Sequence, residues 1–185
     1  MTKPENNAAW RSYLMPGTDT LRTLPGFDDP VAVTLFERIT SADAETRLRS
    51  TPDRPRTFDL DHLRDIHQRL FGDAYDWAGQ LRYIDIGRPV QTGEPFLHHP
   101  WITTYTAGVV EQLRREDNLT NLADPNAWAA RAAHYWNAML HAHPFREGNG
   151  RSIRIWVEDL AAAAGHTLDW SRTSFERNVF VAEAA

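Results

Sequence analysis

The chain has no cysteine among its 185 residues. That removes disulfides, thiolate nucleophiles and cysteine-ligated zinc, and it fits a reducing compartment such as the cytosol. No apolar run approaches the roughly 18 residues of a membrane-spanning helix. The first ten residues, "MTKPENNAAW", lack the apolar centre of a secretory leader. Positive charge is not in excess either: 20 Lys and Arg against 25 Asp and Glu give a formal net charge of −5. No global basic field draws such a protein to nucleic acid, so a polyanion would need positive charge gathered locally. Internal repeats and low-complexity stretches are missing as well. What the chain does have is seven tryptophans, 42% hydrophobic and 24% charged residues. This is the composition of a globular protein with one domain and a sizeable core.

Residues 1–28 are rich in Pro, Gly, Thr and Asn and read as an irregular arm. Residues 29–185 read as a single domain. Asp29 and Pro30 have the N-cap and first-turn chemistry of a helix start, and Val31, Leu35, Phe36 and Ile39 follow on one helical face. After the prolines of "TPDRPRTF", a second helix carries the stripe Leu60, Leu63, Ile66, His67, Leu70 and Phe71, with Gly72 where a left-handed cap belongs. His67 lies on that stripe and reads as a core histidine with a satisfied hydrogen bond rather than a catalytic one. The rhythm then changes. Leu81, Tyr83, Ile84 and Ile86 are β-formers and residues 87–95 are turn chemistry, which predicts a β-hairpin or flap lying on the helices. Its exposed edge is either incidental or a place for an extended peptide to add as a strand. Pro100 opens another helix, with Ile102, Tyr105, Val109 and Leu113 inward. Asp124 and Pro125 open the next, with Trp128, Ala132, Tyr135, Trp136, Met139 and Leu140. Ile153, Trp156, Val157, Leu160, Ala161 and Ala164 form a further apolar face closed by Gly165, and an amphipathic segment from about Ser171 to Val181 ends the chain. The fold class is all-α with one small β-hairpin.

Between the last two strong helices stands "HAHPFREGNGRSIR", residues 141–154. His143 continues the inward face of Met139 and Leu140, and Pro144 stops that helix. Gly148-Asn149-Gly150 permits positive φ at successive positions and can gather backbone N–H groups into an anion nest. The nest opens onto the positive end of the helix that begins near Arg151. Arg151 and Arg154, three apart, share a face there and supply the local charge missing from the bulk composition. Glu147 precedes the nest. Its carboxylate would repel bound phosphates unless a cation such as Mg²⁺ lay between them. His143 as base, Glu147 as metal ligand and a polyphosphate cradle imply transfer from a nucleotide to an acceptor. Two other readings stay open on spacing alone. One is a tight helix–loop–helix turn with solvated charges. The other is a metal site from His134, His141 and His143, which lacks the H-E-x-x-H arrangement.

"HPFREGNGRSIR" resembles the signature of the Fic-domain family, H-P-F-x-[DE]-G-N-G-R-x-x-R, at every fixed position. "FDLDHLRDIHQRLFGDAYDWAGQLR" is similar to the helix before that family's flap, and "PFLHHPWI" to the end of the flap, so the likeness spans about residues 30–180. The resemblance implies a Fic-type helical bundle that transfers AMP from ATP to a protein hydroxyl. His143 would take the proton from a Tyr, Ser or Thr of a target protein. Glu147 would hold Mg²⁺, and Gly148, Asn149 and Gly150 would form the anion hole. Arg151 and Arg154 would lie along the outer phosphates, Phe145 would anchor the loop, and the flap, at Phe96, Leu97 and His98, would register the target. The family is restrained by an inhibitory helix, [ST]-x-x-x-E-[GN], whose glutamate pairs with the second arginine, here Arg154. The nearest match, "SADAET" at Ser41–Thr46, has Thr in the last place and reads as an ordinary helical surface. The resemblance therefore points to a toxin held by a separate small antitoxin, or to part of a larger secreted effector. A Fic-like module that binds nucleotide or a partner without transfer, or a relative that moves another phosphate-linked group, is the alternative. Residues Phe175 to Phe180 are the expected wall for the adenine.

Overall fold

The computed structural model describes residues 8–51, 54–87 and 96–170. These form six α-helices: α1 (Ala8–Arg11), α2 (Pro30–Arg49), α3 (Leu60–Phe71), α4 (Ile102–Arg115), α5 (Pro125–Ala142) and α6 (Asn149–Ala163). α3 packs on α2, α4 and α6, and α6 lies against both α3 and α5. The shared core is made of Leu63, Ile66 and Leu70 of α3, Trp128, Tyr135 and Met139 of α5, and Ile153, Trp156 and Leu160 of α6, all but excluded from solvent. Each such side chain contributes on the order of 1.5–3 kcal/mol on burial. Tyr13 of the N-terminal arm joins that core.

Three helix starts are capped by aspartates: Asp29 accepts from the Val31 and Ala32 amides, Asp59 from His62, and Asp124 from Ala127. α6 ends in a paired cap around Gly165, at φ +76°, with Gly165 N–H on Ala162 and His166 N–H on Ala161. Gly72 behaves differently from the expectation. Its φ is −62° and right-handed. What requires glycine there is crowding, since a Cβ would stand 2.6 Å from the Gln68 carbonyl oxygen.

The apolar face expected on α2 is also corrected. Val31, Leu35 and Ile39 are 72%, 58% and 60% exposed, and of the four only Phe36 packs against the core. The inward face runs Val33, Glu37, Ser41, Ala44 and Leu48, also at helical spacing. Two of its members are polar because they meet an arginine of α6.

No strand pairs among the described residues beyond an isolated bridge between Leu14 and Leu21. The expected hairpin's tip, 88–95, and the segments 171–181 and 175–180 lie outside the described residues. The backbones of the hairpin's two described arms, 81–87 and 96–98, bond to the end of α5 instead of to each other, and side chains link the arms. Arg82 N–H donates to the Pro144 carbonyl at 2.8 Å and Leu97 N–H to the His141 carbonyl at 3.0 Å. The Arg82 side chain, 2% exposed, occupies the space where ladder bonds would run. It donates to the carbonyls of Ile84 (2.7 Å), His143 (2.7 Å), Ala142 (3.3 Å) and Leu97.

Candidate active site

α5 ends at His143, which adopts the left-handed conformation, φ 42° and ψ 61°. A non-glycine residue there is uncommon and strained, and such residues cluster at functional sites. The turn directs the chain into Pro144 and leaves the half-buried imidazole stacked on Phe96, centroids 3.6 Å apart and 19° from parallel. Nδ1–H donates to the Leu140 carbonyl at 3.3 Å, which leaves Nε2 as the basic nitrogen. The flap residues are thus divided. Phe96 covers the His143 ring, the Leu97 N–H and C=O are both engaged inside the protein, and His98 pairs with Asp85.

The loop that follows is held from inside. Phe145 is fully buried. Asn149, also buried, clamps it: Phe145 N–H donates to Asn149 Oδ1 and Asn149 Nδ2 donates back to the Phe145 carbonyl, both at 2.8 Å. The Asn149 side chain therefore serves the loop, and only its backbone faces the helix start. Gly148 has φ +78°, and a Cβ on it would lie 2.4 Å from the Phe71 ring. Asn149 and Gly150 are already helical, so one positive-φ residue makes the turn rather than the expected succession.

The start of α6 has no side-chain cap and no acidic residue in its first turn. Gly148 N–H is taken by the Glu147 carboxylate (3.0 Å). The first intrahelical bond is Ser152 N–H to the Gly148 carbonyl, so the amides before it are available to an anion. Glu147 itself is exposed and, among the described residues, forms no ion pair within 4.0 Å. A hard oxygen donor so placed fits a magnesium ligand. Arg154 lies with its guanidinium 5.0 Å from the centroid of the Trp170 ring, and its buried Nε has no hydrogen-bond partner among the described residues. Arg151 is tethered to α2: Nη1 donates to Ser41 Oγ at 2.9 Å, Nη2 to Glu37, and the guanidinium rests over Phe71. Glu37 also accepts from the Tyr75 hydroxyl. Burial, and then the Glu37 carboxylate beside it, push the Tyr75 hydroxyl well above its ordinary range.

The metal reading of His134, His141 and His143 does not assemble. Their rings pack on Tyr135, Tyr105 and Phe96 respectively. Among the described residues, only Asp85, His98 and His99 bring three such ligand atoms within 4.8 Å of one another.

A model of the Fic/DOC family matches residues 57–161. The chain belongs to the Fic/DOC family. It is 40% identical over 163 residues to the protein adenylyltransferase VbhT of Bartonella schoenbuchensis, a match that spans 86% of this chain and 32%, or about a third, of VbhT. It is 36% identical over 161 residues to the probable protein adenylyltransferase Fic of Escherichia coli K12, covering 85% of this chain and 76% of that one. Among solved structures it is similar to BepC of Bartonella tribocorum, determined with bound AMPPNP. The TM-score is 0.84 at 31% identity, over 92% of this chain and 86% of that chain.

Within this Fic fold, sequence reasoning brought His143, Glu147, Gly148, Asn149, Gly150, Arg151 and Arg154 to one loop and one helix start, and the structure keeps them there. It missed Arg82 and Glu37. Arg82 had no signal beyond being a lone arginine in an apolar segment. Glu37 had one: it sits at helical spacing from Val33 and Ser41. In the near match to an inhibitory motif, Glu45 pairs with Arg49, and among the described residues it forms no ion pair with Arg154.

Proposed function

We propose that the chain is a protein adenylyltransferase, which moves AMP from ATP onto a Tyr, Ser or Thr hydroxyl of a target protein. The observation that carries this reading is the uncapped start of α6 opening beside the base His143, with Glu147 between them. Similarity to proteins named adenylyltransferases and to a structure holding AMPPNP supports it.

The acceptor oxygen attacks the α-phosphorus while His143 Nε2 takes its proton. The bond from the α-phosphorus to the α,β-bridging oxygen breaks, and pyrophosphate leaves. The Gly148, Asn149 and Gly150 amides bind phosphate oxygens, and for this the Glu147 carboxylate swings off the Gly148 N–H. Glu147 would hold Mg²⁺, which when bound screens charge between the phosphates. Arg154 reaches the outer phosphates, which gives its orphaned Nε an acceptor. Arg151 stays docked on α2 and offers its exposed side. Phe96, Leu97 and His98 form the base of the flap that positions the target. A separate small antitoxin restrains the site, its inhibitory glutamate competing with phosphate for Arg154. The protein works in the bacterial cytoplasm, or in a recipient cell where the chain is part of a longer secreted effector.

Parallel reactions with ATP labelled at the α- or the γ-phosphorus, Mg²⁺ and a cell lysate test the reaction type. Label on protein from the α position alone is the expected result. Label from the γ position would make it a phosphoryl transferase, and nucleotide bound without label from either would make it a binding module.

A further inference from the structure

His67 is completely buried on α3 and takes no part in the proton transfer described above. A ring that only filled space there would have done as well as phenylalanine, since its neighbours are the Phe71 and Phe145 rings at 4.8 and 3.9 Å. Both nitrogens are nevertheless engaged, in opposite senses. The Gly79 amide can only donate, and it lies 2.8 Å from Nδ1. Nδ1 is therefore the acceptor and the ring proton sits on Nε2. Nε2–H then donates to the Glu147 carbonyl at 2.9 Å.

That carbonyl belongs to the peptide joining Glu147 to Gly148. The peptide is trans, so its C=O and N–H point in opposite directions. Fixing the oxygen on the core side fixes the Gly148 N–H toward the α6 opening, where it now meets the Glu147 carboxylate at 3.0 Å. Gly79 is held in turn. Its carbonyl accepts from Arg64 Nε at 2.9 Å, its φ is +72°, and a Cβ on it would stand 3.0 Å from Gln68. The ring thus sits between two immobilised peptides and cannot rotate without losing both bonds.

We infer that His67 is a positioning residue of the transfer site: through one hydrogen bond it sets the orientation of the Glu147–Gly148 peptide, and with it the first N–H donor of the phosphate cradle. This rests on the reading of residues 143–154 as an AMP-transfer site. A donor aimed at charge that develops in the transition state acts mainly on kcat, and loss of its aim costs about tenfold or more.

Two amide variants separate the ring's two bonds. In His67→Gln the side-chain amide reaches the Nε2 position and keeps the donor to Glu147. In His67→Asn it reaches only the Nδ1 position and keeps the acceptor for Gly79. The expected result is a kcat for His67→Asn lower by about tenfold or more, with the KM for ATP within about threefold, and rescue of most of that kcat in His67→Gln. Equal losses in the two variants, or a folded His67→Asn with wild-type kcat, would overturn the inference. If His67→Asn does not fold, the decision falls to ¹⁵N-labelled His67→Gln titrated with AMPPNP and Mg²⁺. A Gly148 amide displaced as in the wild type supports the role, and one that does not respond removes it. Should the wild type bind AMPPNP yet transfer no AMP, the reaction proposed above fails while the Gly148 response still decides for or against His67.

Discussion

Gly148 and Gly150 stand two residues apart in one motif and do different work. Gly148 is left-handed and pressed against the Phe71 ring. Alanine there adds about 1–2 kcal/mol of backbone strain and a further 1–3 kcal/mol of overpacking. Gly148→Ala should melt clearly below the wild type. Gly150 is helical, and a Cβ on it would meet nothing within 4 Å. Gly150→Ala should keep or raise the stability, by up to about 1 kcal/mol, and any loss of transfer would then report close approach of phosphate to that position. Glu37 supplies a third expectation at this scale. Phosphate cannot pull Arg151 away without stranding a largely buried carboxylate, 12% exposed in its side chain, beside Tyr75. Glu37→Gln should therefore raise the KM for ATP by several-fold and lower kcat less, as measured by steady-state kinetics. The motif residues were legible because they are consecutive and their chemistry is specific to those residue types. For Glu37 the spacing showed at most an inward face, and its role was not legible because its partner lies 114 positions away.

At the scale of elements, the segment before α3 is fastened to α6 by a buried ionic knot. Arg54 and Arg56 both donate to Asp159 Oδ1, at 2.5 and 3.0 Å. His62 joins the knot: Phe58 N–H donates to its Nδ1 at 3.3 Å, and its Nε2 lies 3.2 Å from both Arg54 Nη1 and Asp159 Oδ2. Burial alone would raise the Asp159 carboxyl. The hydrogen bonds from His62 and Arg54 override it and hold the group below its ordinary value. A lowered carboxylate contributes its stability in full above the unfolded value, about 3.9, and loses it as pH falls through the folded value. Stability should thus drop on acidification below about pH 4. Asp159→Asn should lose about 3 kcal/mol at neutral pH and flatten that acid limb in denaturant melts. The flap base makes a similar demand on Arg82, since its removal strands the carbonyls of Ile84, Leu97, Ala142 and His143. Arg82→Met should destabilise by about 3 kcal/mol or more, by the same melts.

The helices themselves were legible where an apolar stripe faced the core, as in α3, α5 and α6. α2 misled because its inward face carries Glu37 and Ser41 while Val31, Leu35 and Ile39 look outward. The described arms of the expected hairpin show no ladder because the buried Arg82 binds the carbonyls there, and a guanidinium's five donors leave no periodicity in sequence.

For the molecule as a whole, a net charge of −5 coexists with an α6 start that carries two arginines, no acidic first turn and no cap. The attraction for a nucleotide is therefore local, set by one helix end and the α2 face behind it, while the base His143 belongs to a different element, the end of α5. Binding and proton transfer are separable on this account. The measurement that tests it most directly is AMP transfer from α-labelled ATP by His143→Ala, paired with calorimetric titration of the same variant with AMPPNP and Mg²⁺. The account predicts near-wild-type nucleotide affinity and no labelled target. Labelled target formed at the wild-type rate by a folded His143→Ala protein would contradict it.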